Sequence, residues 1–76
     1  MDVELISEQI QVERKTFSFV LKQNPRGRFL RITEDVGGRR DTIIIPSTGL
    51  EQMRGVVERM IKADTEAGPA EVQEQP

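Results

Sequence analysis

The sequence predicts an α+β domain in which four β-strands are followed by one helix. Three observations carry this expectation. Apolar and polar residues alternate with a period of two across residues 16–22 and 28–34. Two turn signals, Asn24-Pro25-Arg26-Gly27 and Gly37-Gly38, separate the apolar runs. From Leu50 onward the apolar period lengthens to the three-and-four spacing of a helix face.

The first strand is expected at about residues 4–13, where Ile10 and Val12 alternate with Gln9, Gln11 and Glu13. The second, about 16–23, places Phe17, Phe19 and Leu21 on one face and Thr16, Ser18, Val20 and Lys22 on the other. The third, about 28–35, places Arg28, Leu30, Ile32 and Glu34 together, with Phe29, Arg31 and Thr33 opposite. Asn first, Pro second and Gly fourth suit a type I turn between these two strands. The turn and the alternation fix the register: Gln23 faces Arg28, Lys22 faces Phe29, Leu21 faces Leu30, Val20 faces Arg31 and Phe19 faces Ile32. A slip by one residue would set Lys22 against Leu30 on the apolar side, and burying an unpaired ammonium costs too much.

The fourth strand, about 41–46, holds three consecutive isoleucines, Ile43 to Ile45. Such a run suggests burial on both faces or pairing against another subunit. A helix is expected at about 48–63, with Thr48 and Glu51 as a capping box and Leu50, Met53, Val57, Met60 and Ile61 as its apolar face. One helix covers one face of such a sheet, so the other face must stay wet or bind something. Residues 64–76 hold four acids and no base, which predicts a disordered acidic tail.

The 76 residues allow one small domain, marginal in stability as a lone chain. Cysteine and histidine are both absent, so there is no thiol nucleophile, no disulfide and no imidazole base or ligand. Neither catalysis nor a metal or other cofactor is expected. Glu34, Asp35 and Asp41 are the only acid cluster offering even a remote Mg²⁺-dependent nuclease. No apolar run approaches the ~20 residues that span a bilayer. The expectation is a soluble cytoplasmic protein, with nucleoid association open, and neither a membrane nor a small-molecule substrate as partner.

The net charge of −2 conceals segregation. Residues 1–13 carry −4, residues 14–40 carry +6 and residues 41–76 carry −4. The basic block points to an anionic partner. On the predicted uncovered face, Phe29 stands among Lys22 and Arg31, beside a turn bearing Asn24, Arg26 and Arg28. Aromatic faces stack nucleic-acid bases while Lys and Arg track phosphates, the pairing that single-strand binders use. A different class of function, a protein-interaction or dimerisation domain meeting an acidic protein, would use the same charge without the ring.

The stretch Lys22-Gln23-Asn24-Pro25-Arg26-Gly27-Arg28-Phe29-Leu30-Arg31-Ile32-Thr33-Glu34 closely resembles the PUR repeat of the purine-rich element binding (Pur-alpha) proteins. The similarity runs without gaps over about residues 4–63 and is that of a bacterial-type, single-repeat member. It implies a ββββα unit, four antiparallel curved strands and a C-terminal helix, over residues 1–63. It also implies that two repeats intertwine into one whirly-like PUR domain, here a homodimer. The implied ligand is single-stranded, purine-rich DNA or RNA, bound without catalysis or metal. The family's basic and amide contacts map onto Lys22 and Asn24 and its stacking aromatic onto Phe29. Arg31 retains the family's basic position, and Arg26 and Arg28 add charge at the hairpin tip. Glu13 and Arg14 depart from the family pattern at the first turn, and Glu13 would repel a phosphate there.

Overall fold

The computed structural model describes residues 1–69. Four antiparallel strands, β1 (Val3–Val12), β2 (Lys15–Asn24), β3 (Gly27–Val36) and β4 (Arg39–Pro46), form one sheet in sequence order. A 3₁₀ turn, Ser47–Gly49, leads into helix α1 (Leu50–Ala67). The expected ββββα order is therefore present, and the β2–β3 register is the one that the apolar alternation requires: Lys22 opposite Phe29, Leu21 opposite Leu30, Val20 opposite Arg31.

Each hairpin closes through local chemistry. At β2–β3, Asn24 Oδ1 accepts the Arg26 N–H at 2.9 Å, which curls the chain around Pro25. At β3–β4, Gly37 and Gly38 take φ of +59° and +91°, as a two-residue hairpin turn needs at both central positions. That turn is tied down by Asp35, whose Oδ1 accepts the Gly38 N–H and whose Oδ2 accepts the Arg40 Nε–H, both at 3.0 Å. At β1–β2, Glu13 takes the left-handed conformation (φ +55°) without glycine's freedom. Strand β1 is irregular where Leu5 is skipped between the pairs Glu4–Lys22 and Ile6–Leu21, the mark of a β-bulge.

The Gly38 N–H, and then Arg40, hold the Asp35 carboxyl below its ordinary value of 3.8. The folded value lies under the unfolded one. Its contribution to stability is therefore fully present above about pH 4 and is lost as pH falls through the folded value. Thermal midpoints measured from about pH 6 to about pH 3 should fall less steeply for Asp35→Asn than for the unaltered chain. Parallel declines would show that this turn does not report on folding.

Three sequence expectations change. The helix begins at Leu50, and Gly49 before it makes no side-chain cap, so the Thr48–Glu51 capping box does not form. Glu51 instead accepts from Arg54 at 2.8 Å. The helix continues past residue 63 to Ala67, ending where Gly68 takes φ +77° and donates to the Thr65 carbonyl. The expected acidic tail thus begins as helix, and residues 70–76 lie outside the described residues.

The third change concerns the core. No residue of α1 is buried, and Met53, Val56, Val57, Met60 and Ile61 are all exposed. The helix therefore does not cover a sheet face within one chain. The apolar sheet face (Phe17, Phe19, Leu21, Leu30, Ile32) is only half-buried. Val20 (9% exposed) is the single buried residue among those described, and it lies on the opposite, polar face. Ile43 and Ile44, on the outer strand β4, are 57% and 53% exposed. The radius of gyration is 15.2 Å, against about 11 Å for a compact chain of this length. One copy on its own has almost no interior.

Candidate nucleic-acid interface

The register sorts side chains into cross-strand rows. On the polar face the row nearest the β2–β3 tip reads Glu4, Lys22, Phe29, Pro46. The next reads Ser7, Val20, Arg31, Ile44, and beyond it come Gln9, Ser18, Thr33, Thr42. The two threonines join through their hydroxyls at 3.1 Å. The last row, Gln11, Thr16, Asp35, Arg40, lies at the far end.

The six sequence-predicted residues converge on the tip and the two nearest rows. Lys22 and Phe29 are direct cross-strand neighbours. Asn24, Arg26, Arg28 and Phe29 line an open groove of about 680 Å³ together with Ile44 and Pro46. Phe29 is half-buried, held by the sheet while one side stays accessible. Arg28 starts from the opposite face, where its Nε donates to Gln23 Oε1 at 2.8 Å. It therefore borders the groove from behind.

Asn24 is more committed than its sequence role suggests. Its carbonyl is spent on the turn, and its Nδ2 reaches Asp2 Oδ1 at 3.4 Å. Ile44 and Pro46 were not singled out as site residues in the sequence. The isoleucine run predicts burial on both faces or pairing against another subunit, and strand parity sets Ile44 on the polar face.

Charge is distributed unequally between the two ends of the sheet. At the far end, Lys15 pairs with Glu34 at 3.0 Å and Arg40 with Asp35 at 3.0 Å. Among the described residues Lys22, Arg26, Arg28 and Arg31 form no ion pair. The Arg31 Nε is also shut from solvent without a hydrogen-bond partner. Leaving such a group unpaired costs about 1–3 kcal/mol or more. The four cations nearest Phe29 therefore stand outside any ion pair among the described residues, which leaves them available to an anion.

The acid cluster considered for Mg²⁺ does not assemble. Glu34 and Asp41 face each other on the apolar side, while Asp35 points to the polar side and holds Arg40. No group of three or more metal-ligating side chains occurs among the described residues. No helix among them is long and apolar enough to cross a membrane.

Comparison with protein families matches residues 2–76 to the family described as "PurA ssDNA and RNA-binding protein". The chain belongs to the PurA family. A curated relative, "Transcription factor Pur-alpha 1" of Arabidopsis thaliana, is 57% identical over 49 residues. The match covers 64% of this chain and 17% of that protein, so the chain spans a small part of its relative's length. PurA membership agrees with the resemblance carried by Lys22 to Glu34 and with the ββββα order. It makes single-stranded nucleic acid the family's ligand class.

Proposed function

We propose that this PurA-family chain binds single-stranded, purine-rich DNA or RNA at the tip and polar face of its sheet, and that it does so as a homodimer. The observation that carries the reading is the charge asymmetry. Lys22, Arg26, Arg28 and Arg31, none of them in an ion pair among the described residues, lie around one half-buried ring, Phe29, while Lys15 and Arg40 at the far end are each held by a carboxylate. Lys22, Arg26 and Arg28 track phosphates, Phe29 gives a face on which a base stacks, and Asn24 offers its Nδ2 to a base or sugar. Binding of this kind needs no metal, cofactor or catalytic group.

Pairing of two copies is supported by the uncovered apolar surface. In a single chain the helix stripe is exposed and the apolar sheet face only half-buried, and each is the kind of surface the other would cover. A domain this small gains its missing interior most directly from a second copy.

A filter-binding competition among single-stranded DNA, RNA and duplex tests the reading. Single strands should win. Each phosphate contact contributes about −0.7 to the slope of log K against log salt, so three contacts predict a slope of about −2 per site. Arg26→Ala should flatten it by about 0.7. Absence of binding to any oligonucleotide at physiological salt would overturn the reading and return the basic face to an acidic protein partner.

A further inference from the structure

The polar face changes character beyond Phe29 and its cations. Its third row, Gln9, Ser18, Thr33 and Thr42, carries no charge and no aromatic ring. The last row holds its only two charges, Asp35 and Arg40, in one ion pair. Between these rows the face sinks into a depression of about 300 Å³, lined by Gln9, Thr16, Ser18, Thr33 and the buried Val20. Arg31 and the Asp35–Arg40 pair border it. Ser18 and Thr33 are direct cross-strand partners, both half-buried, so their Cβ atoms lie about 5 Å apart. Among the described residues the Gln9 and Ser18 side chains hold no hydrogen bond. The Thr33 hydroxyl meets that of Thr42 at 3.1 Å, and either can be the donor.

A strand that stacks on Phe29 and continues along β3 reaches Thr33 about 14 Å further on. Single-strand sites of about 4–16 nucleotides span such a distance. The parts of a polynucleotide suit this place unequally. A phosphate would meet the Asp35 carboxylate, which the Gly38 N–H and Arg40 keep ionised. A base face finds no ring to stack on. A base edge presents a fixed order of donors and acceptors, and hydroxyls that rotate to suit either do not select one order. The ribose 2′-OH is itself both donor and acceptor. If Thr33 donates to Thr42, its lone pairs accept from that hydroxyl. If Thr42 donates, the Thr33 proton is free to be given. The pair is complementary to a sugar hydroxyl in both states.

We propose that the Ser18–Thr33 depression is a ribose subsite, in which these two hydroxyls bond a 2′-OH and Thr42 acts as a positioning residue for Thr33. The chain is then selective for RNA over DNA of the same sequence. This proposal rests on the chain's being a single-strand binder.

The test uses the full chain in its native oligomeric state and one purine sequence about a dozen nucleotides long. The strand is made three ways: as RNA, as DNA, and as RNA with 2′-fluorine, which keeps the ribose ring shape but removes the hydroxyl. The unaltered protein should bind RNA about tenfold more tightly than either of the others, the worth of one or two hydrogen bonds. All three strands carry the same phosphates and should share one salt slope. Thr33→Val with Ser18→Ala removes both hydroxyls at little change in shape, and this variant should bind RNA and DNA alike. Equal binding of RNA and DNA by the unaltered protein would overturn the proposal without any variant needing to fold. So would a fluorinated strand that binds as tightly as RNA, since ring shape and not the hydroxyl would then be read. An RNA preference that survives in the double variant would place the ribose contact elsewhere and overturn it too. Failure of the unaltered protein to bind any of the three strands would instead overturn the single-strand reading itself.

Discussion

Phe29→Ala is expected to weaken single-strand binding by about 1–3 kcal/mol while leaving the salt slope unchanged. The two readouts separate because the ring carries no charge. Phosphate contacts release counterions and set the slope, whereas stacking sets the intercept. Phe29 is suited to stacking by its place in the sheet. Lys22 opposes it on one side and Pro46 on the other, so its backbone is fixed by both neighbouring strands. An anchored ring loses little freedom when a base settles on it. Phe29→Tyr keeps the π face and should retain most of the affinity. Titrations of a labelled purine strand at several salt concentrations would check both numbers. Normal binding by Phe29→Ala would rule out the stacking role.

A charge placed in the helix stripe is expected to cost the protein its assembly and most of its fold. Met60 and Ile61 are 60% and 59% exposed in one chain. On a helix face that stays in water, Met60→Asp would shift stability by about 0.5 kcal/mol or less. If a second copy covers the stripe, each copy loses about 1.5–3 kcal/mol of apolar burial, and the pair loses twice that. A buried carboxylate without a partner adds to the penalty. The unaltered protein should sediment as a dimer and melt at a temperature that rises with its concentration. Met60→Asp should lose both properties. An unchanged mass and melting temperature would show that the stripe faces solvent.

The sheet was legible in the sequence because its determinants are local. Strand parity, the cost of burying Lys22, and the Asn-Pro and Gly-Gly turns specify the β2–β3 register and both flanking strands without reference to anything distant. The clustering of the candidate residues was legible for the same reason: once Lys22 faces Phe29, the tip arginines and Arg31 must lie nearby. The rest depends on contacts between remote parts of the chain. Helix periodicity announces a stripe on α1 but not which surface meets it, and here no surface of the same chain does. Val20 is buried on the polar face because Arg31 and the neighbouring strands enclose it, which no period-two pattern encodes. Thr48 fails as a cap because the 3₁₀ turn Ser47–Gly49 pushes the first helical residue to Leu50. Acidic composition at Asp64, Thr65 and Glu66 read as tail, yet nothing there breaks a helix before Gly68.

The bulge at Leu5 and the proline at position 46 sit on opposite outer strands, yet both adjoin the cross-strand row that contains Phe29. A sheet normally invites further strands along its rims, because the outer backbone groups are unsatisfied. At this level neither rim presents a regular ladder: one is kinked by an extra residue, and the other ends in a residue without an amide hydrogen. Foreign strands are therefore discouraged from closing over the flanks of the ring. In the binding mode proposed above, open lateral approaches would let a long polynucleotide pass sideways across Phe29 without being threaded from an end.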